Sequence, residues 1–483
     1  MSPSLKQKTI KGAIWSSVER FSVQGINFIV MIIMARILTP EDYGIVGMIT
    51  VFIAVSQTLV DSGFSQALIR KQDRTQIDNS TVFWFNLAVS VLLYILLFFC
   101  APYISDFYEV PLLTPITRII SLSIIINAFA LVQRSMYTVN VDFKTQTKAS
   151  LSGVIVGGGL GIGLAYGGFG VWSIVWCQLA TFSVQTIGLW ILAKWSPGFI
   201  FSWVSFKDLF GFGSKLALSA IIETLYQNSY LFVIGKVFKA DDLGYYTRAN
   251  QFASFPSSNI TIILQRVTYP VLCSIQNDIE KITDVYIKFL RLSAFIIFPL
   301  MIGLAALAQP IVLVFLGEKW DFAAILLSIL SFALMWYPVH SINLNLLQVF
   351  GRSDLFLKLE IWKKIIGIAI LCATIPLGLN WMCWGLVASS IIALVINSYY
   401  SGKLIGVGFF KQMRELLPIL FYSLIMGGTV LLVNTFIRGN VLKLIVGVLI
   451  GMMMYGAIAW MVKSPELMHF KETVMKKFHN KII

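Results

Sequence analysis

The sequence predicts an all-α polytopic membrane protein of about 14 transmembrane helices, arranged as two pseudo-symmetric six-helix lobes around a central cavity with two further helices at the C-terminal end. Three observations carry this. The 483-residue chain is 57% hydrophobic and only 12% charged, against about 25% charge in a soluble domain, so it lacks the polar surface that water requires. Apolar runs long enough to span a bilayer recur from end to end. Lys and Arg alternate between rich and poor segments in step with those runs.

The net charge of +14 would suggest a nucleic-acid partner in a soluble chain. In a membrane chain the same excess belongs to cytoplasmic loops, and no nucleic acid is expected. The five cysteines (Cys100, Cys177, Cys273, Cys372 and Cys383) lie in or beside apolar runs with no paired spacing, so they imply neither disulfide nor metal.

The first run, Ala13 to Ile37, follows Lys6, Lys8 and Lys11 and contains Glu19 and Arg20. It exceeds the roughly 7–15 residues of a signal-peptide core and reads as a helix that stays in the membrane. The next five are Tyr43 to Leu68, Thr81 to Ala101, Ile116 to Val132, Ala149 to Tyr166 and Val171 to Ala193. A further six run over Lys215 to Phe238, Ala249 to Cys273, Leu292 to Leu316, Ala323 to Val349, Ile361 to Leu379 and Trp381 to Tyr400. Leu416 to Phe436 and Val441 to Val462 complete the set. With the N-terminus inside, twenty-seven Lys and Arg fall in inner segments and eight in outer ones, which places both termini in the cytoplasm.

A repeat organises these runs. Arg36 to Gly44 reads RILTPEDYG, and Lys236 to Gly244 reads KVFKADDLG, with basic, apolar, acidic, acidic and Gly positions in register. Val171-Trp172 and Cys383-Trp384 form a weaker echo. A six-span repeat has parallel halves, as in two-lobed transporters. The expected divisions are an N-terminal lobe at 1–193, an interfacial cytoplasmic linker at 194–214, a C-terminal lobe at 215–402, and 403–483 with spans thirteen and fourteen and a basic tail. The aromatic linker, with Trp195, Phe199, Phe201, Trp203 and Phe206, suits the membrane interface but also reads as a plain loop.

Charge inside a span is costly and marks candidate sites. Ser16, Arg20, Gln24 and Asn27 share one face of span one, and Ser219, Glu223, Gln227 and Tyr230 repeat the spacing in span seven. These stripes are natural cavity walls, with hydrogen bonding between helices as the alternative. Other buried candidates are Glu19, Gln57 and Asp61, then Arg248 and Asn250, and Gln265 and Arg266. The glycine series 153, 157, 161 and 159, 163, 167 read as helix-packing surfaces. Pro256, Pro299, Pro338 and Pro376 interrupt spans and suggest bends. His340, His469 and His479 offer no ligand spacing, and no nucleophile triad, paired-carboxylate site or nucleotide loop is visible, so no catalytic residue, metal or cofactor is expected.

The opening Gly12-Ala13-Ile14-Trp15-Ser16, the segment Ala35 to Gly44 and Asp142-Phe143-Lys144 resemble the polysaccharide transporter family, the Wzx-type flippases of the multidrug/oligosaccharidyl-lipid/polysaccharide exporter superfamily. Its members include O-antigen, colanic acid and teichuronic acid exporters. The resemblance covers essentially the whole chain. It implies a flippase moving undecaprenyl-diphosphate-linked oligosaccharide across a bacterial inner membrane by alternating access, in lipopolysaccharide, capsule or exopolysaccharide biosynthesis. It further implies a cationic cavity in which Arg20 receives the diphosphate, with Arg248 or Arg266 as the second cation and Gln24, Asn27, Gln227 and Tyr230 beside them. The implied partners are the lipid-linked glycan, the bilayer, and a polysaccharide polymerase with its chain-length machinery. A proton or sodium gradient is the expected energy source, acting through Glu223, Glu19 or Asp61. The alternatives are a multidrug or cation exporter of the same superfamily, and a membrane polymerase or glycosyltransferase.

Overall fold

The computed structural model describes residues 3–193 and 195–468, and among these every regular element is a helix. The N-terminal half contains α1 (Pro3–Ile37), α2 (Pro40–Asp61), α3 (Phe64–Arg70), α4 (Gln76–Tyr108), α5 (Leu113–Ile120), α6 (Leu122–Val139), α7 (Phe143–Tyr166), α8 (Val171–Leu192) and α9 (Trp203–Val237). The remainder is α10 (Ala240–Ser274), α11 (Ile279–Ala306), α12 (Ala308–Phe315), α13 (Asp321–Leu334), α14 (Tyr337–Val349), α15 (Ser353–Thr374), α16 (Leu379–Ile405), α17 (Phe409–Phe436) and α18 (Asn440–Met461). Lys194, His469, His479 and the tail lysines Lys471, Lys476, Lys477 and Lys481 lie outside the described residues, as do the side chains of Lys6, Lys8, Lys11, Ser16 and Lys215.

Among the described residues, 11 helical stretches are long and apolar enough to cross a membrane, or 12 when the two parts of α9, bent by 43°, are joined. The long helices α10 and α15 carry more charge: Asp241, Asp242, Arg248 and Arg266 in the first, Asp354, Lys358, Glu360, Lys363 and Lys364 in the second. With them the helices account for all fourteen runs, and the chain is a multi-pass membrane protein. Several loops are shorter than the charges suggest. Lys281, Lys288 and Arg291 lie within α11, where Arg291 is paired with Glu415 at 2.7 Å and Glu466 at 2.6 Å. Of the four prolines, Pro256 and Pro299 sit inside continuous helices, whereas Pro338 opens α14 and Pro376 occupies a 3-10 turn.

The chain divides into two compact units, Met1–Gly244 and Tyr245–Ile483. Packing groups α9 with the helices before it, chiefly through α2.

In the first unit the repeated loop motif proves to be a helix start. Thr39 and Asp42 form a reciprocal capping box, with the Asp42 amide donating to Thr39 Oγ1 at 3.2 Å and the Thr39 amide donating to Asp42 Oδ2 at 2.9 Å. The Lys239 amide donates to Asp242 Oδ2 at 3.3 Å in the same way at the start of α10. Two otherwise orphaned amides are satisfied in one case and one in the other, which is why acid stands at the third position of both helices.

Helix α7 packs between α1 and α8 through glycine. A Cβ at Gly153 would come within 2.7 Å of the Thr181 carbonyl oxygen, and one at Gly158 within 2.6 Å of Val30 Cγ2. The second glycine series is different. Gly159, Gly163 and Gly167 are exposed, and a Cβ at Gly159 or Gly163 would meet open space. That series is turned away from both neighbouring helices.

Residues 195–202 form an extended strap bound to the start of α4. Trp84 Nε1 donates to the Gly198 carbonyl at 2.8 Å, the Gly198 amide to Ser80 Oγ at 3.0 Å, and the Ser202 amide to Thr81 Oγ1 at 3.1 Å. Helix begins at Trp203, inside the expected linker, and Phe206 packs into the Phe64–Phe85–Phe210 cluster.

The second unit is centred on a fully buried polar network. Tyr286 on α11 donates to Asn343 Oδ1 on α14 at 2.8 Å, and Ser401 on α16 donates to the same oxygen at 2.7 Å. Gln412 on α17 closes the ring, accepting from Asn343 Nδ2 at 3.1 Å and donating to Tyr286 Oη at 3.1 Å. In a chain with few charges, such satisfied networks join helices that apolar packing alone would leave free to slide. His340 belongs to this unit, where Ser390 lies 3.1 Å from Nε2 and donates onward to the Ala333 carbonyl.

Candidate functional site

The stripe on α1 is built on a helix whose packing face is already occupied. Trp15, Glu19, Val30 and Met34 meet α7, and they centre roughly 100° around the helix from Arg20, Gln24 and Asn27. The stripe is therefore turned away from the α7 contact. Arg20 and Gln24 are half-buried and Asn27 is exposed. Gln24 Oε1 is buried with no hydrogen-bond partner among the described residues.

The α9 stripe has the same relation to its own contacts. Thr224 meets Thr58 of α2 with the hydroxyls 3.1 Å apart, and Gly235 packs on Met48 and Tyr108. These positions lie about 100° and 120° around the helix from Glu223. Ser219 is exposed, Glu223 half-buried, Gln227 exposed and Tyr230 8% exposed. Gln227 Nε2 donates to Glu223 Oε1 at 2.8 Å, so two members of the stripe bond along their own helix.

Glu19 is drawn into packing. Its Oε1 accepts from Ser150 Oγ at 2.7 Å, and Ser150 Oγ accepts from Gln185 Nε2 at 2.9 Å. The chain Glu19–Ser150–Gln185 joins α1, α7 and α8, which is hydrogen-bond glue of the kind membrane bundles use.

Asp61 sits where α2 breaks. Ser62 and Gly63 take left-handed backbone angles of φ 44° and 70°, and the chain re-enters helix at Phe64. A side chain at Gly63 would also collide with the Gly213 carbonyl of α9, so glycine is required twice over. Asp61 Oδ1 accepts from the Ser65 amide at 3.1 Å and holds the break. Its carboxylate also faces a cavity of about 230 Å³ lined by Gln57, Ser65, Asn127 and Arg134.

Arg134 is the residue that sequence reading missed. The charge count assigns it to an inner loop, but it lies in α6, half-buried, with Nη2 donating to Asn127 Oδ1 at 3.5 Å and Nε unbonded among the described residues. The Glu19 carboxylate acts on it electrostatically. Its signal was the seven-residue spacing from Asn127, which puts both on one face of a helix longer than the apolar run alone.

The remaining candidates lie on α10 in the second unit. Arg248 is half-buried with Asn250 close by, and Arg266 is exposed with Gln265. Eighteen residues separate the two arginines, about 27 Å along a helix, so α10 presents them as two separate cations. In the first unit, the structure places Gln57 and Asp61 in one chamber with Arg134 and gives Glu19 a packing role.

Residues 33–325 match the family described as polysaccharide biosynthesis protein. The chain is 27% identical over 356 residues to the teichuronic acid biosynthesis protein TuaB of Bacillus subtilis (strain 168), covering 73% of this chain and 74% of that one. It is 27% identical over 332 residues to the succinoglycan biosynthesis transport protein ExoT of Rhizobium meliloti (strain 1021), covering 68% and 67%. Among solved structures it resembles the lipid II flippase MurJ in an inward closed conformation, with a TM-score of 0.76 at 14% identity over 94% of this chain and 98% of that one. At that identity the likeness concerns the fold.

Proposed function

This chain belongs to the polysaccharide biosynthesis protein family, and from that premise we propose that it is a transporter, a flippase for undecaprenyl-diphosphate-linked oligosaccharide, and not an enzyme. The observation that carries the reading, beyond family membership, is Arg20: a half-buried guanidinium on an apolar membrane helix, on a face not used for packing against α7. A cation kept at that cost suits an anionic cargo. Arginine binds a diphosphate bidentately, and its delocalised charge lowers the penalty of carrying phosphate through low dielectric.

In this reading Gln24, Asn27, Gln227 and Tyr230 supply hydrogen bonds to sugar hydroxyls, and Arg248 or Arg266 provides the second cation. Glu223 is the carboxylate through which a proton or sodium gradient acts: Glu19 ties α1 to Ser150 of α7 and Asp61 holds the break after α2, whereas the Glu223 bond to Gln227 stays within its own helix. Both termini lie in the cytoplasm and the membrane is the bacterial inner membrane. A polymerase and chain-length machinery act on the exported unit.

The test uses purified protein in proteoliposomes with a fluorescent undecaprenyl-diphosphate oligosaccharide, scored by a lectin that reaches only one leaflet. Wild type should equilibrate the glycan between leaflets, Arg20→Ala should abolish this while keeping normal membrane levels, and Arg20→Lys should recover only part of it. Undiminished flipping by Arg20→Ala would reduce Arg20 to a structural residue. Transfer of sugar from a nucleotide donor in the same vesicles would favour the glycosyltransferase alternative.

A further inference from the structure

The last two helices leave a groove in the second unit that the flipping mechanism does not use. It has a volume of about 660 Å³ and lies where α11 ends and α13 and α18 begin. Space is left there by small residues, Ala305, Ala308 and Ala324, where larger side chains would close it. Its rim is apolar and open to the bilayer, with Ile325 49%, Trp384 47% and Leu431 55% exposed.

The lining is polar in two patches of opposite sign. One is Lys443, half-buried in the first turns of α18, with no ion pair or hydrogen bond from its ammonium group among the described residues. The other patch is Asp321, an exposed carboxylate at the start of α13 held by Gln309 Nε2 at 3.4 Å. Asn434 completes the lining. It is 8% exposed, and its Oδ1 has no partner among the described residues. Lysine alone could be explained by its long stem reaching toward water, but a buried, unbonded amide oxygen has no such route.

We infer that this groove seats the headgroup of a zwitterionic aminophospholipid. The phosphate is bound by Lys443, the primary ammonium by Asp321 and Asn434, and the acyl chains lie along Trp384, Ile325 and Leu431. Charge complementarity selects this occupant. A purely anionic headgroup would place only neutral hydroxyls beside Asp321 and leave its charge uncompensated, and a choline headgroup has no N–H to donate to Asp321 or Asn434. The assignment also accounts for α17 and α18, which stand outside the sequence repeat and form one wall of the lipid seat.

The experiment measures lipid binding to the delipidated full-length protein by native mass spectrometry, with dioleoyl phosphatidylethanolamine, phosphatidylglycerol and phosphatidylcholine at equal concentration. No glycolipid or flipping is involved, so its outcome is independent of the transport reading. Phosphatidylethanolamine should bind about tenfold more tightly than either of the others. Lys443→Ala should lower its binding about tenfold. Asp321→Asn should erase the preference over phosphatidylcholine, and Asn434→Leu should weaken binding as well. Lys443 and Asp321 stand at the edge of the fold, so their variants keep the test decisive if Asn434→Leu fails to assemble. Equal binding of the three lipids, or unchanged binding by Lys443→Ala, would overturn the assignment. So would displacement of phosphatidylethanolamine by undecaprenyl diphosphate at equal concentration, which would give the groove to an isoprenyl lipid.

Discussion

Gly44 and Gly244 each occupy the position that the other's helix start leaves free. A Cβ on Gly44 would overlap the Ala240 carbonyl, and a Cβ on Gly244 would overlap the Pro40 carbonyl. In the repeat, residue 40 corresponds to 240 and 44 to 244, so the contact is reciprocal, as in an interface about a two-fold axis. The capping acids Asp42 and Asp242 set the direction of the two helix starts, and the glycines let them cross at backbone distance.

Gly44→Ala and Gly244→Ala should each destabilise the protein by about 1–3 kcal/mol, the range for forcing extra volume into a packed site. The obstacle is backbone, which cannot rotate aside. Thermal unfolding of the purified variants checks this, with Gly159→Ala as the control: its Cβ would meet open space, and its melting temperature should hold or rise.

Glu19 and Ser150 provide a second measurement. Glu19→Gln keeps a carbonyl oxygen to accept from Ser150 and should retain near-normal stability, while Glu19→Ala should cost about 1–3 kcal/mol by leaving buried groups unbonded. Equal losses in the two variants would mean that the negative charge itself, acting on Arg134, is what matters.

Tyr286→Phe removes one hydroxyl from the buried ring in the second unit. Asn343 Oδ1 keeps bonds from Ser401 and Gln412, so the loss should be about 1 kcal/mol, whereas Asn343→Leu should cost more by stranding three partners at once. Thermal unfolding orders the two.

Glu223→Gln tests energy coupling. The amide still accepts from Gln227 but no longer titrates. In vesicles with an imposed proton or sodium gradient, flipping by this variant should lose its response to the gradient while retaining downhill equilibration. A response equal to wild type would assign coupling elsewhere.

Arg134→Gln should leave Asn127 a partner but remove the charge from the Asp61 chamber. The expected result is slower flipping at near-normal protein levels. Unaltered flipping would leave the chamber a packing defect filled by water.

By itself the sequence determined the helical class, the approximate position of each membrane run, the repeat and the polar stripes. Hydropathy, charge and 3.6-residue periodicity are local and additive, and each can be read without knowing a residue's neighbours. The repeated acids at 42 and 242 were legible as a motif, but only the hydrogen bonds to residues 39 and 239 explain it as helix capping. The tertiary structure decided what depends on which helices meet. It separated Gly153 and Gly157, pressed on α8, from Gly159 and Gly163, facing outward, although the two series are indistinguishable in spacing. It moved Arg134 from a loop into a chamber with Asp61, and tied Glu19 to Ser150 across 131 positions of chain. Contacts between residues so distant in the chain arise from packing, and periodicity within one helix carries no information about the helix it will meet.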